Sequence, residues 1–133
     1  MSLIERLKAA RWEGTGARLV VLHGSALRRE NPRDLDVVAY TDKDVEEVML
    51  NIMEVVENAA GLPADVYVFD NFQDLNCTLL LMAARDGVIL YSDEAGRWAF
   101  VKAVGICNDY LLMREKVRYT ETLVERVWRR VAR

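Results

Sequence analysis

Several residue types are scarce in this 133-residue chain, and each scarcity excludes a class of protein. The two cysteines, Cys77 and Cys107, form neither a CxxC pair nor a disulfide framework, which excludes a zinc finger and a disulfide-rich secreted mini-protein. We expect both to be small core residues in a reducing cytoplasm. No apolar run approaches the ~20 residues of a membrane span, and the N-terminus has no signal-peptide core. We therefore predict a cytoplasmic protein with no membrane partner.

A dominant charge is absent as well. The net charge is only −3, so no global field indicates a nucleic-acid or membrane binder. The charge is nevertheless uneven, at +4 over residues 1–33, −11 over residues 34–113 and +4 over residues 114–133. An acidic middle is typical of a cation site or of solvated polar faces. The basic C-terminal segment could bind RNA, although we favour the polar side of an amphipathic helix.

The hydrophobic pattern predicts a single domain in which strands alternate with helices. The chain is 52% hydrophobic and 29% charged, which is the balance of a globular protein able to bury its own core. Strands are predicted at 18–23, 34–40, 64–69 and 88–91, and helices at 3–12, 45–59, 75–84 and from about 93 to the end, with an interruption near Gly105. Thr41 or Asp42 would cap the second helix, and Gly61 would end it. The predicted fold class is therefore α/β (α+β).

Two aspartates on the second predicted strand are the first candidates for chemistry. Side chains at Asp34 and Asp36 lie two residues apart and point to the same face of a strand, with their Cα atoms ~6.6 Å apart. Carboxylates held this close repel each other, and a divalent cation such as Mg²⁺ removes that cost. The alternative is a wet strand edge, or pairing with nearby arginines such as Arg28.

Two further features flank this pair. Gly24 and Ser25 follow the first apolar strand, where glycine permits close backbone approach and a helix start could hold a phosphate. An ordinary turn explains the same dipeptide. Asp65 begins the third predicted strand, and it reaches the other aspartates only if the second and third strands are neighbours. Three carboxylates could then hold two metal ions ~4 Å apart, with Asp65 as a base for an acceptor hydroxyl.

Taken together, these motifs resemble a known family. The run from His23 to Ser25, the Asp34-Leu-Asp36 motif and the later Asp65 are similar to the minimal nucleotidyltransferases (MNT) of the DNA polymerase beta superfamily. The run from Asp86 to Tyr91 resembles the Gly-x-x-Leu-Tyr strand of that family, so the likeness covers about residues 18–93.

The resemblance implies a nucleotidyltransferase-like fold, with a small mixed sheet flanked by helices. Residues 1–133 would form one domain with a core at about 18–93 and C-terminal helices at about 94–131. Gly24, Ser25 and Arg28 would bind a nucleoside triphosphate, with ATP as the default. Asp34, Asp36 and Asp65 would bind Mg²⁺ in a two-metal site and catalyse transfer of a nucleoside monophosphate to a hydroxyl of a protein or RNA. Small members often pair, as antitoxins, with a helical HEPN protein.

Two departures keep an alternative open. Arg29 stands where the family has glycine, and the segment from Ser25 to Asp34 is one or two residues short. A catalytically degenerate module that acts by contact with a protein partner would tolerate both changes. His23 could line the site, although a core position is the simpler interpretation. An apolar stripe near the C-terminus would pack on the sheet, on a helical partner or in a homodimer; its members are Val104, Cys107, Leu111, Val124, Val127, Trp128 and Val131.

Overall fold

The computed structural model describes residues 2–131, which form a four-stranded mixed sheet with helices on both faces. The strands are β1 (Leu19–His23), β2 (Leu35–Tyr40), β3 (Ala64–Phe69) and β4 (Val88–Ser92), and the helices are α1 (Leu3–Lys8), α2 (Val45–Ala60), α3 (Cys77–Asp86) and α4 (Glu94–Val131). Two three-residue 3-10 helices, Glu13–Thr15 and Ser25–Leu27, precede and follow β1. The predicted α+β class and the small mixed sheet are confirmed.

The strand order is β3-β2-β1-β4, with β2 and β3 parallel and the other pairs antiparallel. Asp65 was expected to reach the other aspartates only if the second and third strands were neighbours. The structure shows that β2 and β3 are neighbours and that Asp65 is in register with Asp36.

Alternating strand residues divide the core into two layers. One sheet face packs on α1 and α2, through strand residues such as Leu22 and Val37 and helix residues such as Ile52. The other face, with Val21 and Val38, packs on α3 and the first part of α4. Period-2 alternation therefore gives each face its own apolar set, as expected for a sheet covered on both sides.

Local capping chemistry differs in one place from the sequence prediction. Asp44, rather than Thr41 or Asp42, caps α2 by accepting hydrogen bonds from the Glu46 and Glu47 amides at 2.9 and 3.2 Å. Asp42 is instead paired with Arg18 at 3.0 Å, and the Thr41 hydroxyl donates to the Gly16 carbonyl at 2.8 Å. The end of α2 at a left-handed Gly61 agrees with the prediction.

The predicted first helix is too long. Helix α1 ends at Lys8, and Trp12 is buried outside it, with its Nε1 donating to the Leu7 carbonyl at 2.7 Å. The indole belongs to the core through this tertiary hydrogen bond rather than through helical periodicity.

The C-terminal region is one helix instead of several. Helix α4 runs without interruption through Gly105, where an added Cβ would meet no atom within 4 Å. A glycine inside a helix costs only about 1 kcal/mol relative to alanine, which flanking helix formers and the packing of Cys107 can offset.

The expectation that the cysteines remain separate is wrong. Helix α3 packs against α4, and Cys77 and Cys107 form a disulfide across this contact with their Cα atoms 5.3 Å apart. The two cysteines are 30 residues apart in the sequence, so no local spacing predicts that they form a pair. Among the described residues, no helix combines the length and apolar character that a membrane span requires.

Candidate active site

The predicted site residues gather at one end of the sheet. In the register of the three strands, His23 at the end of β1 faces Asp36 at the start of β2, and Asp36 faces Asp65 at the start of β3. Directly paired residues project from the same face of a sheet, so these side chains form a row across three strands. Asp34 is exposed and lies directly before β2, two residues from Asp36. We call this group, His23, Asp34, Asp36 and Asp65, the acidic edge.

The acidic edge continues the sheet face that α3 and α4 cover. His23 lies two residues after buried Val21 on β1, and Asp36 lies two residues before buried Val38 on β2, so each pair shares that face. Asp65 is exposed, Asp36 is half-buried and His23 is only 3% exposed. The row therefore leads from the protein interior at His23 to solvent at Asp65.

Burial and neighbouring charges shift the pKa values of two residues of the acidic edge, Asp36 and His23. Burial raises the pKa of the Asp36 carboxyl above its usual value, and the charges of Asp34 and Asp65 raise it further, while the His23 imidazole opposes the shift. Burial also lowers the pKa of His23, against the opposing effect of Asp36 and Asp65. The surroundings of Asp36 and His23 therefore disfavour the charged forms of these two side chains.

One nitrogen of the edge lacks a partner. Nδ1 of His23 is buried and accepts or donates no hydrogen bond within residues 2–131. A buried polar group without a partner costs about 1–3 kcal/mol, so a water or ligand at this position would be stabilising. The sequence suggested a core histidine or a site residue; the structure shows that His23 is buried and in register with Asp36.

Gly24 brings the backbone against the acidic edge. Its φ of +85° and ψ of −157° lie in a region essentially restricted to glycine. An added Cβ would lie 2.6 Å from Oδ2 of Asp36. The absence of a side chain at Gly24 is therefore what allows the Asp36 carboxylate to occupy its position.

The loop after Gly24 departs from one expectation. Ser25 begins a single 3-10 turn, Ser25–Leu27, rather than an α-helix, and its carbonyl accepts from the amides of Arg28 and Arg29. Arg28 is exposed and pairs with Asp86 at the end of α3, at 3.3 Å. Exposed pairs of this kind contribute about 0–1 kcal/mol, so a phosphate could compete with Asp86 for this guanidinium. Sequence reasoning missed Asp86, because the pair links positions 58 residues apart.

The residues fit a magnesium ion that is completed by its substrate. Among residues 2–131, no three histidine, cysteine or acidic side chains already converge to hold a metal ion. Mg²⁺, however, is usually bound by one or two carboxylates together with substrate phosphates and waters. Asp36 and Asp65 are in register on adjacent parallel strands. A cation beside them would offset the cost of burying the charged Asp36 carboxylate, which is the cost that raises its pKa.

Comparison with known proteins finds likeness in structure only. No protein-family model and no curated protein matches the chain. Solved structures do match: one described as the tri-AMPylated Shewanella oneidensis HEPN toxin in complex with MNT antitoxin has a TM-score of 0.53 and 14% identity, over 80% of this chain and 84% of that chain. A mutant of the toxin-antitoxin MntA-HpeT gives a TM-score of 0.57 and 13% identity, over 90% and 95% of the two chains. A toxin-antitoxin with AMP-PNP gives 0.56 and 14% over the same shares. The chain therefore has the fold found in MNT toxin-antitoxin structures.

Proposed function

We propose that the protein is a Mg²⁺-dependent nucleotidyltransferase that moves a nucleoside monophosphate, AMP from ATP, onto a hydroxyl of a protein or RNA acceptor. The observation that carries the proposal is the register of Asp36 with Asp65, with Gly24 pressed against the Asp36 carboxylate. The shared fold supports it, since one structural neighbour is a toxin-antitoxin with AMP-PNP.

Each residue of the acidic edge has a proposed role. Asp34, Asp36 and Asp65 would hold the metal, which supplies charge neutralisation for the triphosphate and the leaving pyrophosphate. Gly24 permits close approach of the phosphates, and the Ser25 hydroxyl and the Arg28 guanidinium would bind them. These residues would hold the triphosphate against the acidic edge before the acceptor arrives.

The proposed reaction exchanges a phosphoanhydride bond for a phosphate ester bond. The acceptor oxygen forms a bond to the α-phosphorus of the nucleotide, and the bond from that phosphorus to the pyrophosphate oxygen breaks. Asp65, which is exposed whereas the neighbouring Asp36 is half-buried, would take the proton of the acceptor hydroxyl. Its exposure suits this role, because an acceptor must approach from solvent.

The proposed physiological role is that of an antitoxin acting on a helical HEPN-type partner. The basis is that structural neighbours include a HEPN toxin that is AMPylated and bound to its MNT antitoxin. We propose a cytoplasmic location for this role, because the nucleotide donor is present there. RNA is retained as a second acceptor class because the end of α4 is basic.

A second candidate function is contact-based binding without catalysis. The specific observation that favours it is the loop after Gly24, where Ser25 starts only a three-residue turn and Arg28 is engaged by Asp86. A module of this kind would bind its partner without nucleotide and without a metal.

Calorimetric titration of ATP with Mg²⁺ separates the two candidates. The wild type should bind saturably and only with the metal present, and Asp36→Asn should bind at least about tenfold more weakly because it loses a charged ligand. Asp70→Asn is the matched control, since Asp70 is an exposed aspartate just beyond the other end of β3. If the wild type binds none of ATP, GTP, CTP and UTP at millimolar concentration, the enzyme proposal is refuted and the binding module remains.

A positive titration is followed by a transfer assay with α-labelled ATP. Label should appear on a purified helical partner or on RNA with the wild type and the Asp70→Asn control, and not with Asp36→Asn. Binding without transfer to either acceptor class would contradict the proposed reaction while keeping the nucleotide site.

A further inference from the structure

The second half of α4 leaves the body of the protein as a single helix. Cys107 is fully buried, but every described side chain from Asn108 to Arg130 is exposed. We call residues 108–130 the arm; at 1.5 Å per residue it extends ~34 Å. Most helical stability in proteins comes from the packing of an apolar face, and large exposed apolar patches mark interaction sites. The many exposed apolar side chains of the arm therefore indicate a partner surface.

Five of the ten large apolar side chains that the arm exposes follow a heptad repeat, whereas Leu111, Leu112 and Tyr119 lie off it. Starting from the last turn before the arm, alternate steps of four and three residues reach Ile106, Tyr110, Met113, Val117, Thr120, Val124 and Val127. Six of the seven are apolar, and those six are 37–67% exposed. This spacing of 3.5 residues is the seam of a left-handed coiled coil rather than the stripe of a helix lying on a sheet. We call these residues the heptad seam.

We propose that the heptad seam pairs with the same seam of a second copy of this chain, in a parallel, in-register, two-stranded coiled coil. In heptad notation, Tyr110, Val117 and Val124 occupy a positions. Val117 and Val124 are β-branched, and β-branched a residues combined with Leu at d positions favour two parallel strands. The a positions fit that pattern, whereas no d position of the seam is Leu. Thr120 is the single polar d position, and it would meet Thr120 of the second copy.

The charges beside the seam are complementary between two identical helices that run parallel and in register. In a parallel dimer, each g residue faces the e residue of the next heptad in the other copy. Asp109 would face Arg114 of the second copy, and Lys116 would face Glu121 of the second copy. The twofold axis repeats each pair, giving four opposite-charge contacts. In the part of the chain that the structure describes, none of these four residues forms a salt bridge of its own.

The third g–e pair is apolar and extends the same interface. Leu123 would face Trp128 of the second copy, and these side chains are 41% and 72% exposed in one chain. Burial of an indole contributes more than any other single contact of the arm, because aromatic side chains carry the largest apolar area. The seam thus explains the exposed Trp128 and Tyr110, which a monomeric fold leaves without a role. This inference does not depend on the proposed nucleotide chemistry.

Sedimentation of the full-length protein tests the dimer. The mass should change with concentration between 15.2 kDa and twice that value. Val117→Asp should weaken dimerisation by about tenfold or more, because it places a charge inside the seam. A wild type that remains monomeric up to ~100 µM, including one that associates only with a different helical protein, would overturn the proposal.

Two threonines provide a matched pair of cysteine variants for the register. Thr120 lies in the seam and Thr122 on the outer face, and both hydroxyls donate to the carbonyl four residues earlier at 2.9 Å. Oxidised Thr120→Cys should run as a covalent dimer, and Thr122→Cys should remain a monomer. Cross-linking of neither variant, or of both equally, would contradict the parallel in-register seam.

Charge exchange tests the pairing itself. Lys116→Glu or Glu121→Lys alone should weaken dimerisation by roughly fivefold, because each creates two like-charge contacts. The double variant, Lys116→Glu with Glu121→Lys, should regain the wild-type dissociation constant. A double variant no better than either single change would refute the contact between these two positions.

Discussion

Replacement of Gly24 by alanine is the most informative single change at the acidic edge. The new Cβ would lie 2.6 Å from Oδ2 of Asp36 and 3.4 Å from its Cβ and Cγ. Because Oδ2 is the end of a rotatable side chain, the carboxylate can yield, but it must move by about 0.8 Å to restore an ordinary 3.4 Å contact. Gly24→Ala therefore displaces the oxygen that we propose as a metal ligand.

Two effects of different size should follow. The backbone strain of a non-glycine residue at this φ and ψ costs about 1–3 kcal/mol of the free energy of unfolding. Nucleotide binding with Mg²⁺ should fall by much more, on the order of a hundredfold, because a misplacement near 1 Å has that effect on positioned groups. Urea denaturation measures the first quantity, and calorimetric titration of ATP measures the second.

Gly61→Ala is the matched control. Gly61 also has a positive φ, of +70°, but an added Cβ there meets no atom within 4 Å. It should cost about 1 kcal/mol of stability and leave nucleotide binding unchanged. If Gly24→Ala keeps its ATP affinity within about twofold of the Gly61→Ala control, the close approach of Gly24 to Asp36 has no functional role and our reasoning about the site is wrong.

Three further predictions concern stability. Reduction of the Cys77–Cys107 disulfide, which spans 30 residues, should lower the free energy of unfolding by about 3–4 kcal/mol. Urea titrations with and without reductant measure this change, and a Cys77→Ser variant, which should not respond to reductant, is the control. A wild type whose stability does not change on reduction would contradict the pairing. Because burial lowers the pKa of His23 in the folded protein, the unfolded chain binds more protons as the pH falls below about 6.5, so the wild type should lose stability there and His23→Phe should lose less. Parallel urea titrations of the two proteins between pH 7 and 5 test this, and equal slopes would refute it. Because burial raises the pKa of Asp36, its charged form opposes folding at neutral pH, and Asp36→Asn should unfold at higher urea than the wild type at pH 7; a lower midpoint would mean that the carboxylate stabilises the fold.

Local patterns predicted the elements on which the site depends. The third strand matches its predicted bounds, because a short alternating run between Pro63 and Asp70 has little other conformational choice. The i, i+2 spacing of Asp34 and Asp36 indicated a shared face, and the structure adds that Asp65 is in register with Asp36. The roles assigned to these residues stay predictions until binding is measured.

Non-local contacts account for what the sequence did not reveal. Asp42 is a residue type that commonly caps helices, but its carboxylate pairs with Arg18, and Asp44 caps α2 instead. The disulfide and the Arg28–Asp86 pair likewise join positions that are distant in the chain. Periodicity identified an apolar stripe near the C-terminus, but it could not show where the sheet stops covering α4. Within residues 2–131, Cys107 is the last buried residue of α4, and it is buried by tertiary packing against α3.

The acidic edge also bears on the choice between enzyme and binding module. A half-buried carboxylate with a raised pKa and a buried histidine nitrogen that has no partner within residues 2–131 both oppose folding. A module that acts by contact alone gains nothing from these features, since an apolar side chain at Asp36 would pack on the adjacent Val38 side of the sheet at less cost. A site that binds a cation and phosphates explains both features, because the ligand supplies the missing charge and hydrogen-bond partner. The energetic cost is therefore an argument for the enzyme that is independent of the structural neighbours. The urea and ATP titrations of Gly24→Ala and Asp36→Asn measure the change in stability and the change in nucleotide binding.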